Sequence, residues 1–96
     1  MRITGGPLKG RLLVSPRGLG IRPTSDQVRE SIFNIIGQDL HGVKGLDLFA
    51  GTGILGIETL SRGASSVVFA DISPQSIRLI RKNLALCKHQ EYGIIT

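Results

Sequence analysis

Apolar residues return along this 96-residue chain at two spacings, and the spacings divide it into short elements. Val28, Ile32, Ile35 and Ile36 recur at i, i+4, i+7 and i+8, which predicts one apolar stripe on a helix, with Phe33 widening it. Thr24 with Gln27 has capping-box spacing, Ser25 is an alternative cap, and Gly37 is a C-terminal stop. Residues 44–49 read as a strand entering a glycine-rich turn. Residues 54–61 read as a second helix closed by Gly63, and residues 66–70 as a buried strand ending at Asp71. Ser73 and Pro74 open a third helix with an Ile77, Ile80, Leu84 stripe. Arg78, Arg81 and Lys82 share a different face of it, read as a solvated surface. Residues 93–96 look like a third strand beginning.

Ahead of these elements the pattern breaks up. Residues 1–23 hold Gly5, Gly6, Gly10, Gly18 and Gly20 with Pro7, Pro16 and Pro23. Short apolar-rich pieces near 2–4 and 8–14 predict a small β-hairpin turned at Gly5-Gly6-Pro7. The chain therefore divides into a ribbon extension, residues 1–23, and an α/β part, residues 24–96. Strand–helix–strand alternation in the second part implies a parallel sheet.

Composition narrows the function classes. Hydrophobic residues make up 41%, enough for a globular core. A single cysteine, Cys87, excludes a disulfide-stapled secreted domain, so the default compartment is reducing and cytoplasmic. No apolar run approaches the roughly 18 residues of a membrane-spanning helix, and no membrane partner is expected. Cys87, His41 and His89 do not make a convincing zinc set. The formal net charge is +5. Arg2, Lys9, Arg11, Arg17, Arg22 and Arg29 face only Asp26 within residues 1–29, so the whole excess lies there. A concentrated positive segment fits a polyanion, and without an aromatic residue before Phe33 it fits phosphate better than bases.

The chemistry concentrates in Asp47-Leu48-Phe49-Ala50-Gly51-Thr52-Gly53-Ile54-Leu55-Gly56. Gly51, Gly53 and Gly56 match G-x-G-x-x-G at a strand-to-helix junction, where glycine permits a tight turn and close approach of a ligand. Asp71 ends the next strand, where a carboxylate can accept both ribose hydroxyls. Together they predict a nucleoside-containing cofactor. Asp47 separates two candidates. A buried acid before the turn would repel a dinucleotide pyrophosphate. It would attract S-adenosylmethionine, whose sulfonium and ammonium groups are cationic.

These pieces resemble the N-terminal part of the bacterial 16S rRNA guanine-N2 methyltransferases of the RsmD family. The likeness rests on Met1–Gly6 with Leu8–Arg11, on Arg22–Glu30, on Phe33–Ile35, on Leu46–Gly53 and on Leu60–Ala64 through to Asp71. It implies that Asp47, Phe49, Ala50, Gly51, Thr52 and Gly53 line the methionine end of the cofactor. Asp71 would hold the ribose and Ile72 would flank the adenine. Arg2, Lys9, Arg11, Arg17 and Arg22 would hold ribosomal RNA of the small subunit. Arg22 and Thr24 would also lie near the cofactor mouth.

In this family an Asn/Asp-Pro-Pro-aromatic motif after the fourth strand holds the target amine. No proline here follows another, so no catalytic residue is assigned. The expectation is the N-terminal half of a class I, Rossmann-like methyltransferase cut at its third strand. Such a chain is expected to be inactive alone and to self-associate through open edges. Two readings compete: a non-catalytic basic RNA-binding module, and a fragment of a nicotinamide-dependent oxidoreductase.

Overall fold

Six elements alternate in the computed structural model, which describes residues 1–15, 25–48, 50–88 and 93–95. They are α1 (Asp26–Ile36), β1 (Lys44–Leu48), α2 (Ile54–Ser61), β2 (Ser66–Ala70), α3 (Pro74–Leu86) and β3 (Gly93–Ile95). The cap of α1 is Ser25, whose hydroxyl accepts the Val28 N–H at 3.3 Å. Thr24, the first choice by spacing, lies outside the described residues. Gly37 adopts φ +114°, reachable without strain only by glycine, and its N–H closes the helix on the Phe33 carbonyl. Ser73 caps α3 and Pro74 opens it, as the spacing predicts.

The three strands pair in parallel in the order β1-β2-β3, with Leu46 opposite Val68 and Asp47 opposite Phe69. The two-residue period of a strand sends Val67 and Phe69 inward to meet Ile57, Ile80 and Leu84. Leu46 and Leu48 point to the opposite face and remain exposed. Ile77, by contrast with Ile80 and Leu84, is only half-buried.

The N-terminal hairpin is present in reduced form. Its arms meet at one antiparallel bridge, Arg2 with Leu12. Ile3 faces both Gly10 and Arg11: the Gly10 N–H donates to the Ile3 carbonyl at 2.8 Å, and the Ile3 N–H donates to Arg11 at 3.0 Å. With Gly10 at φ +87°, this is a glycine β-bulge. The chain therefore reverses over a longer loop than Gly5-Gly6-Pro7. Ile3 and Leu13 enter the same core as α2 and α3.

Helix α1 corrects the periodicity. Most of its apolar stripe faces outward, with Ile35 84% exposed and Val28 and Ile36 at half or more, while Ile32 is half-buried at the cleft with β1 and α2. The buried side chains are Arg29 and Phe33. The cause sits on α2. Glu58 is fully buried, and a carboxylate taken out of water without a cation costs several kcal/mol. Arg29 Nε donates to it at 3.0 Å and Arg62 Nη1 at 2.7 Å. The Arg62 guanidinium also lies 3.8 Å from the centroid of Phe33. These contacts orient α1, and the aliphatic stripe takes the side that remains.

Candidate cofactor site at the β1–α2 turn

The glycine turn is built by two left-handed residues, Gly51 at φ +59° and Gly53 at φ +80°. Gly53 is the N-cap of α2 and folds back through its N–H to the Ala50 carbonyl at 2.9 Å. Thr52 is buried; its hydroxyl accepts the Ile54 N–H at 3.2 Å, and its carbonyl accepts Asn83 Nδ2 at 3.1 Å. Ala50 donates its N–H to the Ala70 carbonyl at 3.0 Å. The turn is thus anchored to β2 and α3 before any ligand arrives. Phe49 lies outside the described residues.

Two carboxylates stand at this junction, one bonded to the turn and the other to the first turn of α2. Asp71 Oδ2 accepts the Gly51 N–H at 2.9 Å, and its Oδ1 accepts the Ser73 N–H at 2.9 Å. Each oxygen keeps a further lone pair for a ligand hydroxyl. Asp47 Oδ2 accepts the Gly56 N–H at 3.2 Å, inside the first turn of α2. Burial pushes the Asp47 carboxyl up to about 6; the Gly56 N–H opposes that rise and the Asp71 charge adds to it. Asp47 borders an apolar cleft of about 220 Å³ between α1, β1 and α2, lined in part by Ile36, Leu46 and Leu55. Ile72 follows Asp71 and is 98% exposed. A pair of carboxylates with one already destabilised as an anion is a site that favours a cation.

The cationic candidates are distributed differently. Arg2, Lys9 and Arg11 are exposed on the hairpin. Arg2 Nη1 donates to the Gly10 carbonyl, and Arg11 Nη1 donates to the Leu86 carbonyl, both at 3.1 Å. Arg17 and Arg22 lie outside the described residues, as does His89. Arg29, part of the sequence's positive excess, is removed from the surface by its pairing with Glu58 and Asp26.

The spacing of motifs did not reveal the ionic network around Glu58. Besides two arginines it accepts the Thr4 N–H at 2.9 and 3.0 Å and the Thr4 hydroxyl at 2.8 Å, which fastens the hairpin to α2. One signal was available. An acid within the otherwise apolar or small run Ile54–Ser61 marks a carboxylate that must find cations.

The family model described as conserved hypothetical protein 95 matches residues 1–95. Ribosomal RNA small subunit methyltransferase D of Escherichia coli K12 is 41% identical over 88 residues, covering 92% of this chain and 44% of that protein. YlbH of Bacillus subtilis, named as a candidate rRNA methyltransferase, is 48% identical over 94 residues, 95% of this chain and 51% of that protein. Among solved structures, the Escherichia coli candidate methyltransferase yhhF superposes with TM-score 0.84 at 33% identity, over 100% of this chain and 51% of its own. The chain spans about half the length of the curated relatives it matches. The fold is the α/β fold of these methyltransferases over that half.

Proposed function

This chain belongs to the conserved hypothetical protein 95 family, the RsmD family, and from that membership we propose that it carries half the cofactor site of an S-adenosylmethionine-dependent rRNA methyltransferase. The substrate in this reading is small-subunit rRNA, and the methylated atom is N2 of a guanine. The observation that carries it is the pair of carboxylates at this junction, Asp71 on the Gly51 N–H of the turn and Asp47 on the Gly56 N–H in the first turn of α2.

The residues fit the cofactor by their chemistry. S-adenosylmethionine supplies a methyl group activated on a cationic sulfur. Asp71 offers both carboxylate oxygens to the ribose hydroxyls while its backbone bonds keep them aimed. Asp47 favours the cationic methionine end, since a nearby positive charge relieves the penalty that raises its pKa. Ile72 gives the adenine an apolar wall, and Ala50, Thr52 and the two glycines present backbone to the methionine portion. Dinucleotide binding is the weaker reading, because Asp47 would face a pyrophosphate with like charge.

The hairpin cations Arg2, Lys9 and Arg11 contact RNA phosphates, with Arg17 and Arg22 continuing that set. No double-proline motif occurs in these 96 residues to hold a target amine, so methyl transfer by this chain alone is not expected, and with half the cofactor site it should bind cofactor weakly. Cytoplasmic location follows from an rRNA substrate. No described helix is long and apolar enough to cross a membrane.

Calorimetry with S-adenosylhomocysteine tests the cofactor assignment. Weak binding that disappears in Asp71→Ala is expected, with circular dichroism confirming that the variant folds. Binding of NADH without binding of S-adenosylhomocysteine would overturn it.

A further inference from the structure

The second half of the chain is neutral only on average. Residues 72–88 contain Arg78, Arg81, Lys82 and Lys88 and no acid. All four side chains are exposed, and none is ion-paired among the described residues. A solvated helix face ordinarily mixes signs, because opposite charges at i, i+4 stabilise it and like charges cost about 0.2–0.5 kcal/mol per pair. Here Arg78 and Lys82 are a like pair at i, i+4, and Arg78 and Arg81 a like pair at i, i+3. Among the described residues no ion pair uses these cations.

The tertiary structure brings a further cation to the C-terminal end of this helix. Asn83 clamps the second hairpin arm along α3: its Oδ1 accepts the Val14 N–H at 2.8 Å and its Nδ2 donates to the Val14 carbonyl at 3.2 Å. That contact brings Arg11 to the Leu86 carbonyl at the C-terminal end of α3. The other end of α3 begins at Ser73, bonded to Asp71 of the cofactor turn. The helix therefore spans about 20 Å from the cofactor turn to the hairpin at 1.5 Å per residue, and its cations begin one turn in, at Arg78.

We propose that the outer face of α3, with Arg11 at its end, is an RNA-backbone contact that joins the hairpin to the cofactor site. It deepens the rRNA reading and rests on it. Phosphate is the group that matches unpaired cations with no aromatic residue among them. Each contact releases condensed counterions, and that release supplies affinity without reading sequence. The contact positions the RNA along the helix and leaves selection of the target base to other groups.

The test measures binding of this chain to a small-subunit rRNA transcript across a salt series. The variants are the triple change Arg78→Gln, Arg81→Gln, Lys82→Gln and the charge-keeping pair Arg78→Lys, Arg81→Lys. Losing three phosphate contacts is expected to lower the slope of log K against log salt by about 2, and the affinity at 0.1 M salt by about 100-fold. The lysine pair should keep the unmodified slope. S-adenosylhomocysteine binding should be unchanged in both variants, which shows that the fold and cofactor turn are intact. A triple variant with the unmodified slope and affinity within twofold overturns the α3 contact and leaves the rRNA reading standing. Absence of salt-dependent RNA binding by the unmodified chain overturns both.

Discussion

Gly56→Ala sets two effects of opposite sign against each other. Gly56 lies in the first turn of α2, and replacing an interior helix glycine by alanine ordinarily stabilises by about 1 kcal/mol. Here a Cβ would overlap Cε1 of Phe69, stand 2.7 Å from Phe69 Cζ and 3.0 Å from Val67 Cγ1. Phe69 is fully buried and Val67 nearly so, so the ring cannot swing into solvent. Overpacking of this kind costs about 1–3 kcal/mol, and a rigid aromatic neighbour places the cost at the upper end. Steric cost wins, leaving a net loss of about 1–2 kcal/mol. In a chain of this size each kcal/mol lowers Tm by about 4–8 °C. Thermal unfolding followed by circular dichroism reads the sign directly. The double variant Gly56→Ala, Phe69→Leu should lose less than the sum of the single changes, because the smaller side chain vacates the contested space. A Gly56→Ala chain as stable as the unmodified one, or more so, refutes the claim that this glycine exists for close helix–strand packing.

Asp47 gives a pH signature. Its folded pKa, about 6, lies above its ordinary value of 3.8, so its contribution to stability is present at low pH and lost as pH rises through about 6. Asp47→Asn should therefore stabilise the ligand-free chain at pH 8, by about 1–2 kcal/mol after allowing for solvent screening, and leave stability at pH 4 nearly unchanged; urea titrations at the two pH values decide it. The same carboxyl must ionise to attract a cation, so S-adenosylhomocysteine affinity by calorimetry should rise between pH 5 and 7, and a flat profile would remove Asp47 from the ammonium end. Glu58→Gln leaves the buried Arg62 guanidinium without its anion and Arg29 still paired with Asp26, and should cost about 3–5 kcal/mol in urea unfolding; a loss below 1 kcal/mol would show that the network is not desolvated. The exposed residues of α1 and the edge of β1 that no described strand pairs should make the chain self-associate, and Ile35→Lys should shift sedimentation equilibrium toward monomer; strict monomer behaviour of the unmodified chain at high concentration would contradict this.

Local signals located most of the elements. The short apolar run of Ser66–Ala70, the Ser73-Pro74 start of α3 and the left-handed glycines around Thr52 each depend on neighbours within a few residues, and each stands where its pattern places it. The positions of Asp47 and Asp71 beside the turn follow from strand ends and parallel pairing, which alternation alone implies. The surface of α1 followed a different rule. Its apolar spacing is as regular as that of α3, yet Arg29 and Phe33 turn inward. No window of sequence around α1 contains the reason, since Glu58 and Arg62 lie roughly thirty residues away on another helix.

Charge shows the same division. The sequence alone establishes how many cations precede residue 30 and that none of the acids falls between 72 and 88. Only the tertiary structure decides which of those cations reach solvent: it withdraws Arg29 into a buried pair and, through Asn83, lays Arg11 beside α3. Periodicity and turn chemistry are written by covalent neighbours, so they survive in one dimension. Pairing of buried charges is settled by desolvation, which depends on everything packed around them and exists only once the chain has folded.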